Sequence, residues 1–378
     1  MSDPVANGPS HRDEEFDRYL DKTYPIVIQR MPISASDALA TDPTAYDTAL
    51  QEWRQQRQDE LAGRVLEEFP QPIAVRFHRY RKGSKNLRDK LGHLRDTWEA
   101  LITVYAATLL GEVLSLDLRC EDTGIDPRRL AFHNLRDAID VIARILSSSL
   151  DLSTTGFLRS AQRTRLITLM GLLNDERNGL AHSESPGDPE CRTRLGGCEP
   201  LVFEALALLE PLADCVVASF VDVEDDLIFQ VFRGKGTERE LDPVSLSAAQ
   251  RGAVLALDQP KTHVVVLWQD RAFTLSPLVR WYDSGRGHQP LLVFLDRFSA
   301  EPASLRYQTY GTTDAFDTAT ATDSGFVEQV GRHATKLISE HERLRALFRK
   351  DPAENARDQA RQVGRPAAAH PSRGLLSN

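Results

Sequence analysis

Six consecutive residues, Arg177, Asn178, Gly179, Leu180, Ala181 and His182, bring together side chains suited to act on a phosphodiester. An imidazole titrates near neutrality and can take or give a proton. A guanidinium carries a permanent charge in a fork shaped to phosphate oxygens. Metal-free cleavage of RNA needs both functions: the neighbouring 2′-OH attacks, protons move on and off oxygen, and a cation stabilises the pentacoordinate phosphate. Asn178 is suited to orient the imidazole or to hold a phosphate oxygen. Arg177 follows Leu173 by four residues on the apolar row of a helix, an unfavourable place for a guanidinium unless a cleft, an interface or an anion lies opposite. His182 sits about 140° further round an ideal helix. Two facing helices fill one groove with both groups more readily than one helix can, so a homodimer is part of the expectation. The competing arrangement is an Arg177 held by Glu176 or Asp175, with His182 satisfying the last carbonyls of the helix.

A second candidate lies at 75–96, where Arg76, Arg79, Arg81, Lys82, Lys85, Arg88, Lys90 and Arg95 outnumber Asp89 and Asp96, with Phe77, His78 and Tyr80 interleaved. Cations beside aromatic rings are what single-stranded RNA requires, charge for the backbone and a ring for the base. The expected RNA contacts are Arg76, Arg79, Tyr80, Arg81, Lys82 and Lys85. A solvated helix face is the simpler alternative, and masking of the patch by the chain's own acidic N-terminal segment is another. Weaker signals point away from chemistry. The turn Arg233-Gly234-Lys235-Gly236 lacks the third glycine of a phosphate loop and reads as a hairpin turn. No GxSxG, GxxxxGK[ST] or HExxH motif occurs. Cys120, Cys191, Cys198 and Cys215 include no CxxC pair, so reduced structural thiols are expected and no metal or cofactor is implied.

The elements that must position these groups follow from periodicity. Residues 1–70 form an acidic N-terminal segment, 7 Lys and Arg against 14 Asp and Glu, with one helix over 45–68 stopped by Pro70 and Pro72. Leu87, Leu91, Leu94, Trp98, Leu101, Tyr105, Leu109, Val113 and Leu116 mark a long amphipathic helix. A second is expected over 127–150 with Asp126 as N-cap, a third over 155–182 and a fourth over 200–220. From 221 the period shifts toward two, predicting a small, mostly antiparallel sheet of four to six strands over 221–323, with a short helix at 246–257. A helical repeat returns at 324–350, and 351–378 reads as a disordered tail. The fold class is therefore α+β, a helical bundle over 71–220 followed by a β-rich domain and a C-terminal helix.

The chain's 378 residues are enough for two or three compact units, and a net charge of -9 argues against coating nucleic acid through the overall field. The polar N-terminus and the absence of a 20-residue apolar run suggest a cytoplasmic protein without a membrane span. Arg177, Asn178 and His182, at the end of the third helix of such a bundle, resemble the Arg-x(4 to 6)-His motif of the HEPN superfamily. The resemblance covers about 85–220. It implies a HEPN-like four-helix bundle and a metal-independent endoribonuclease acting as a homodimer, two copies of the motif meeting across the interface. It implies a setting among bacterial toxins and antiphage defence effectors, RNA as partner, and a β-rich domain that receives a signal or a neighbour-encoded protein. Members that keep the fold without the activity define the alternative, a catalytically inactive binding or sensor module or adaptor.

Overall fold

A computed structural model of the chain describes residues 16–17, 26–28, 31–116, 135–148, 150, 152, 153–182, 187–223, 227–236, 241–257, 263–276, 278–282, 291–300 and 303–309. These residues form a mixed α and β fold with antiparallel sheets. The N-terminal part contributes β1 (Ile26–Ile28), β2 (Met31–Ile33), α1 (Ala35–Thr41) and α2 (Pro43–Glu67). Asp42 caps α2 by accepting the Ala45 N–H at 3.0 Å. Around 51–60 that helix is polar except for Trp53, and it joins two separate cores. Tyr46 and Leu50 bury against Phe16 at one end, and Ala62 and Val65 enter the main core at the other.

The helical body consists of α3 (Gln71–His78), α4 (Leu87–Ser115), α5 (Leu135–Ser147), α6 (Ser160–His182) and α7 (Asp188–Leu208). A π-helical turn, Arg79–Gly83, follows α3. The 29 residues of α4 run about 43 Å, and α4 packs on α3, α5 and α7 while α6 packs on α5 and α7. The apolar row read in the sequence is buried along α4, from Leu91 and Trp98 to Tyr105, Leu109 and Val113.

Three boundaries differ from expectation. The helix expected over 155–182 is divided: a 3-10 turn at Thr154–Phe157 precedes an extended Leu158, and the Arg163 guanidinium donates to the carbonyls of Leu158 at 3.1 Å and Thr155 at 3.0 Å. The fourth helix starts at Asp188, because Pro200 sits inside α7 rather than at its start. Its ring removes one N–H, but burial of Leu195, Cys198, Val202, Phe203 and Leu206 on both sides keeps the helix continuous. The same helix ends at Leu208, and residues expected to finish it form strand β3 (Val216–Val223), paired on both edges. The helix expected over 127–150 is seen as α5; its proposed cap Asp126, like Cys120, the helix at 324–350 and the tail at 351–378, lies outside the described residues.

The strands β4 (Leu227–Val231), β5 (Leu241–Pro243), β6 (Val264–Trp268) and β7 (Arg271–Thr274) join β3 in a five-stranded sheet ordered β5-β4-β3-β6-β7. Instead of one sheet there are two: β8 (Val279–Tyr282), β9 (Leu291–Ala300) and β10 (Ala303–Thr309) make a second, three-stranded one. Helix α8 (Ala248–Leu255) is capped by the Ser247/Gln250 box. The pleat divides β6 between two cores: Val264 and Val266 join the helical core, whereas Val265 and Leu267 face the cluster that includes Val254 of α8.

Among the contacts that fix the sheet to the helices, two involve glycines. Gly111 of α4 lies so close to β7 that a Cβ there would come within 2.6 Å of Leu275 Cδ2 and 3.0 Å of the Thr274 carbonyl. The turn Arg233–Gly236 closes the C-terminus of α2 rather than acting as a bare hairpin. Gly234, at φ 66°, donates its N–H to Phe69 O, Lys235 donates its own to Leu66 O, and Arg233 Nε donates to Glu68 O. Orphan carbonyls at the helix end thus gain donors and two cations.

Candidate functional site

Arg177 lies one turn from the end of α6, and its side chain is 31% exposed. Its Nε donates to Glu99 Oε1 on α4 at 2.7 Å, and its Nη1 reaches Asn178 Oδ1 at 3.5 Å. The acid that holds it is therefore neither Glu176 nor Asp175 but a residue from another helix. Glu176 instead faces Arg194, at 3.5 Å. Glu99 also stands 3.9 Å from Arg95, whose own partner is Asp96 at 2.9 Å. Burial works against the Arg95 charge, but Asp96 and Glu99 outweigh it and hold its pKa above the ordinary guanidinium value.

Arg177 lines a cleft between α4, α6 and α7, with Leu91, Leu94, Leu173 and Val202 as apolar wall and Arg95 and Glu176 beside it. Its interior is about 20 Å³, room for about one water. That is too small to enclose a nucleotide. Trp98 and Cys198 complete the wall. The Trp98 indole N–H is buried and has no acceptor among the described residues. Burial, and then Glu176, push the Cys198 thiol pKa upward, away from thiolate character.

Asn178 is exposed. His182 is the last residue of α6, five positions beyond Arg177 on the same continuous helix, and its side chain lies outside the described residues. The sequence-predicted trio is thus placed on one helix end, with only the Arg177 and Asn178 side chains described.

The cations of the basic segment differ in burial and in their ion pairs. Arg76 is 11% exposed and 3.6 Å from Asp96, and Arg81 lies 3.3 Å from Asp59 on α2. Arg79 is half-buried, and Lys82 and Lys85 are exposed. Tyr80 is buried rather than displayed: its hydroxyl donates to Glu199, its ring packs on Phe77, and Lys90 Nζ sits 5.2 Å above it. Phe77 is equally buried, so neither ring is offered to a base in this conformation. The expected interleaving fails because Phe77 and Tyr80 pack inside and Arg76 is nearly covered with them, which leaves Lys82 and Lys85 outside without a ring beside them. Burial pushes the His78 pKa down, with Lys82 and Lys235 adding to the effect.

Sequence reasoning missed Glu99, which orients Arg177, and Glu112. The Glu112 side chain is 1% exposed. It accepts the N–H and hydroxyl of Ser153 at 2.8 and 2.6 Å, those of Thr154 at 2.9 and 2.6 Å, and Arg271 Nη1 of β7 at 3.0 Å. Burial alone would raise its pKa, but these hydrogen bonds bring it below the ordinary carboxylate range. A carboxylate this fully occupied is a tie between helix, 3-10 turn and sheet, not an acid or base. An acid on the buried row of α4 was the available signal. Among the described residues no group of His, Cys, Asp and Glu is arranged to hold a metal, and no helix is long and apolar enough to cross a membrane. Cys191, Cys198 and Cys215 are buried. No family model matches the chain, and no curated protein or solved structure is significantly similar to it.

Proposed function

We propose that this protein is a metal-independent endoribonuclease of HEPN type. Its helical body is then a HEPN-like four-helix bundle of α4, α5, α6 and α7, a reading supported by the closed circuit of packing in which each of the four touches the next. The observation that carries the proposal is the Arg177 guanidinium, fixed by Glu99 through Nε and half-exposed at a cleft mouth on the helix that ends in His182. An arginine gripped on its Nε edge presents its terminal nitrogens in a set direction, which is what a developing phosphorane charge requires. His182 moves the proton and Asn178 orients it or the phosphate. A homodimer places the imidazole of one copy opposite the guanidinium of the other. The setting is that of a cytoplasmic toxin or antiphage effector, with the β-rich region receiving a signal or a neighbour-encoded protein.

A second reading, an inactive HEPN-like binding or sensor module or adaptor, draws on the same ion pair, since a guanidinium neutralised by Glu99 also suits a purely structural role. One assay separates them: labelled RNA with excess chelator, comparing wild type with Arg177→Ala, His182→Ala and Asn178→Ala. The ribonuclease reading expects cutting that falls at least 100-fold in the first two variants and less in the third. No cutting by wild type selects the adaptor reading, and cutting that survives both of the first two substitutions places the active site elsewhere.

A further inference from the structure

Lys82, Lys85 and Arg88 differ from the other cations of the basic segment in one respect: all three are exposed, and none forms an ion pair among the described residues. Arg76, Arg81, Lys90 and Arg95 are engaged by Asp96, Asp59, Glu199 and again Asp96. Asn86 accepts the Asp89 N–H at 2.8 Å and so starts α4 between Lys85 and Arg88. From there helical geometry sets a line. At about 100° per residue, Arg88, Gly92, Arg95 and Glu99 fall within a band about 60° wide, along about 16 Å of one side of α4. Its far end is Glu99, the anchor of Arg177. Nothing stands within 4 Å of where a Gly92 Cβ would be, so the middle of the line is open.

We propose that this line is a track for a single RNA strand, gripped by its phosphates and led from Lys82, Lys85 and Arg88 to the cleft at Arg177. The inference rests on the ribonuclease reading for its destination and adds the mode of recognition. Charge favours it: Lys82, Lys85, Arg88, Arg95 and Arg177 outnumber Asp89, Asp96, Glu99 and the Glu176 of the cleft. Phe77, Tyr80 and Trp98, the Phe, Tyr and Trp residues described along the line, are buried and offer no face to a base, so recognition goes to the backbone and tolerates any sequence. The strand is unpaired because attack by a 2′-OH needs the nucleophile in line with the leaving oxygen, a geometry that a regular A-form duplex withholds.

The test uses the full chain carrying Arg177→Ala and His182→Ala, so that nothing is cut, and the fluorescence anisotropy of a labelled 20-nucleotide oligouridylate between 50 and 500 mM KCl. Three released phosphate contacts predict a slope of log K against log salt of about −2. Adding Lys85→Glu and Arg88→Glu is expected to weaken binding at least tenfold at 50 mM and to flatten the slope toward zero. Arg251→Glu, an exposed cation on α8, is expected to change neither quantity. Oligoadenylate and oligocytidylate are expected to bind within about threefold of oligouridylate, and a blunt hairpin duplex more weakly. Binding unmoved by the two reversals, or confined to one base, overturns the track. Cutting by the wild type is read separately. If no RNA is cut but binding behaves as described, the track stands and the ribonuclease reading falls. If Arg177→Ala abolishes cutting while the reversals leave binding unchanged, the opposite holds.

Discussion

Glu112 carries a charge inside the protein because every oxygen lone pair in reach has a donor. Glu112→Ala leaves the Ser153 and Thr154 amides and hydroxyls without their acceptor, so a loss of about 3 kcal/mol is expected in urea unfolding. The pH dependence follows from the direction of its shift. The folded-state pKa lies below the unfolded one, so the contribution is complete above the unfolded value and fades as pH falls through the folded value. Stability measured from pH 6 to pH 3 should therefore fall more steeply in wild type than in Glu112→Gln. At this scale the sequence was half legible. The Arg-Asn-x-x-x-His run announces itself by residue type, whereas the acid that orients Arg177 is 78 positions away in sequence and only folding brings it near. Tyr80 shows the same limit from the other side, since its type and neighbours suggested a displayed ring and only the packing of α3 on α4 and α7 puts it inside.

Helices α2 and α4 were readable to within a few residues, because a long row of apolar side chains at threes and fours leaves no competing pattern. The errors fell where two signals conflicted. Pro200 looks like a helix start, yet it interrupts a helix whose burial extends to both sides of it. Val216, Val217 and Phe220 satisfy a helical or an extended pattern alike, and the partner strands decide. Three glycines make the element-level forces measurable by thermal or urea melts. Gly63, mid-helix in α2 with nothing near its missing Cβ, should tolerate alanine with a gain of about 0.5–1 kcal/mol. Gly111→Ala should cost about 1–3 kcal/mol, because the methyl group would overlap Leu275 and the β7 backbone. Gly234→Ala should cost about 1–2 kcal/mol, since φ is 66° and the added carbon would sit 2.9 Å from the Glu67 carbonyl.

Over the whole molecule, the division into a helical domain and a β-rich domain was drawn from the change in period near 220, and the strands do begin there, at Val216. The core does not respect that line: one cluster runs from Trp98 and Leu169 through Val217, Val264 and Phe273 to Phe294. The N-terminal lobe, by contrast, has its own small cluster of Phe16, Tyr46 and Leu50 at the end of a polar helix. Hydrogen exchange should reflect this: amides at 51–60 are expected to exchange at least 1000-fold faster than those of the buried turns at 98–110. Tyr46→Ala, which removes the hydroxyl bonded to Asp17 at 2.8 Å, should accelerate exchange in the lobe while leaving 98–110 unchanged.

The seam at Gly111 also decides how the protein can be dissected. A fragment cut after the last helix would bare the strip of α4 that now lies on Leu275 and Phe273, and would invite clumping. Chimeras that replace the C-terminal part must therefore keep the five-stranded sheet with the helices and graft beyond it.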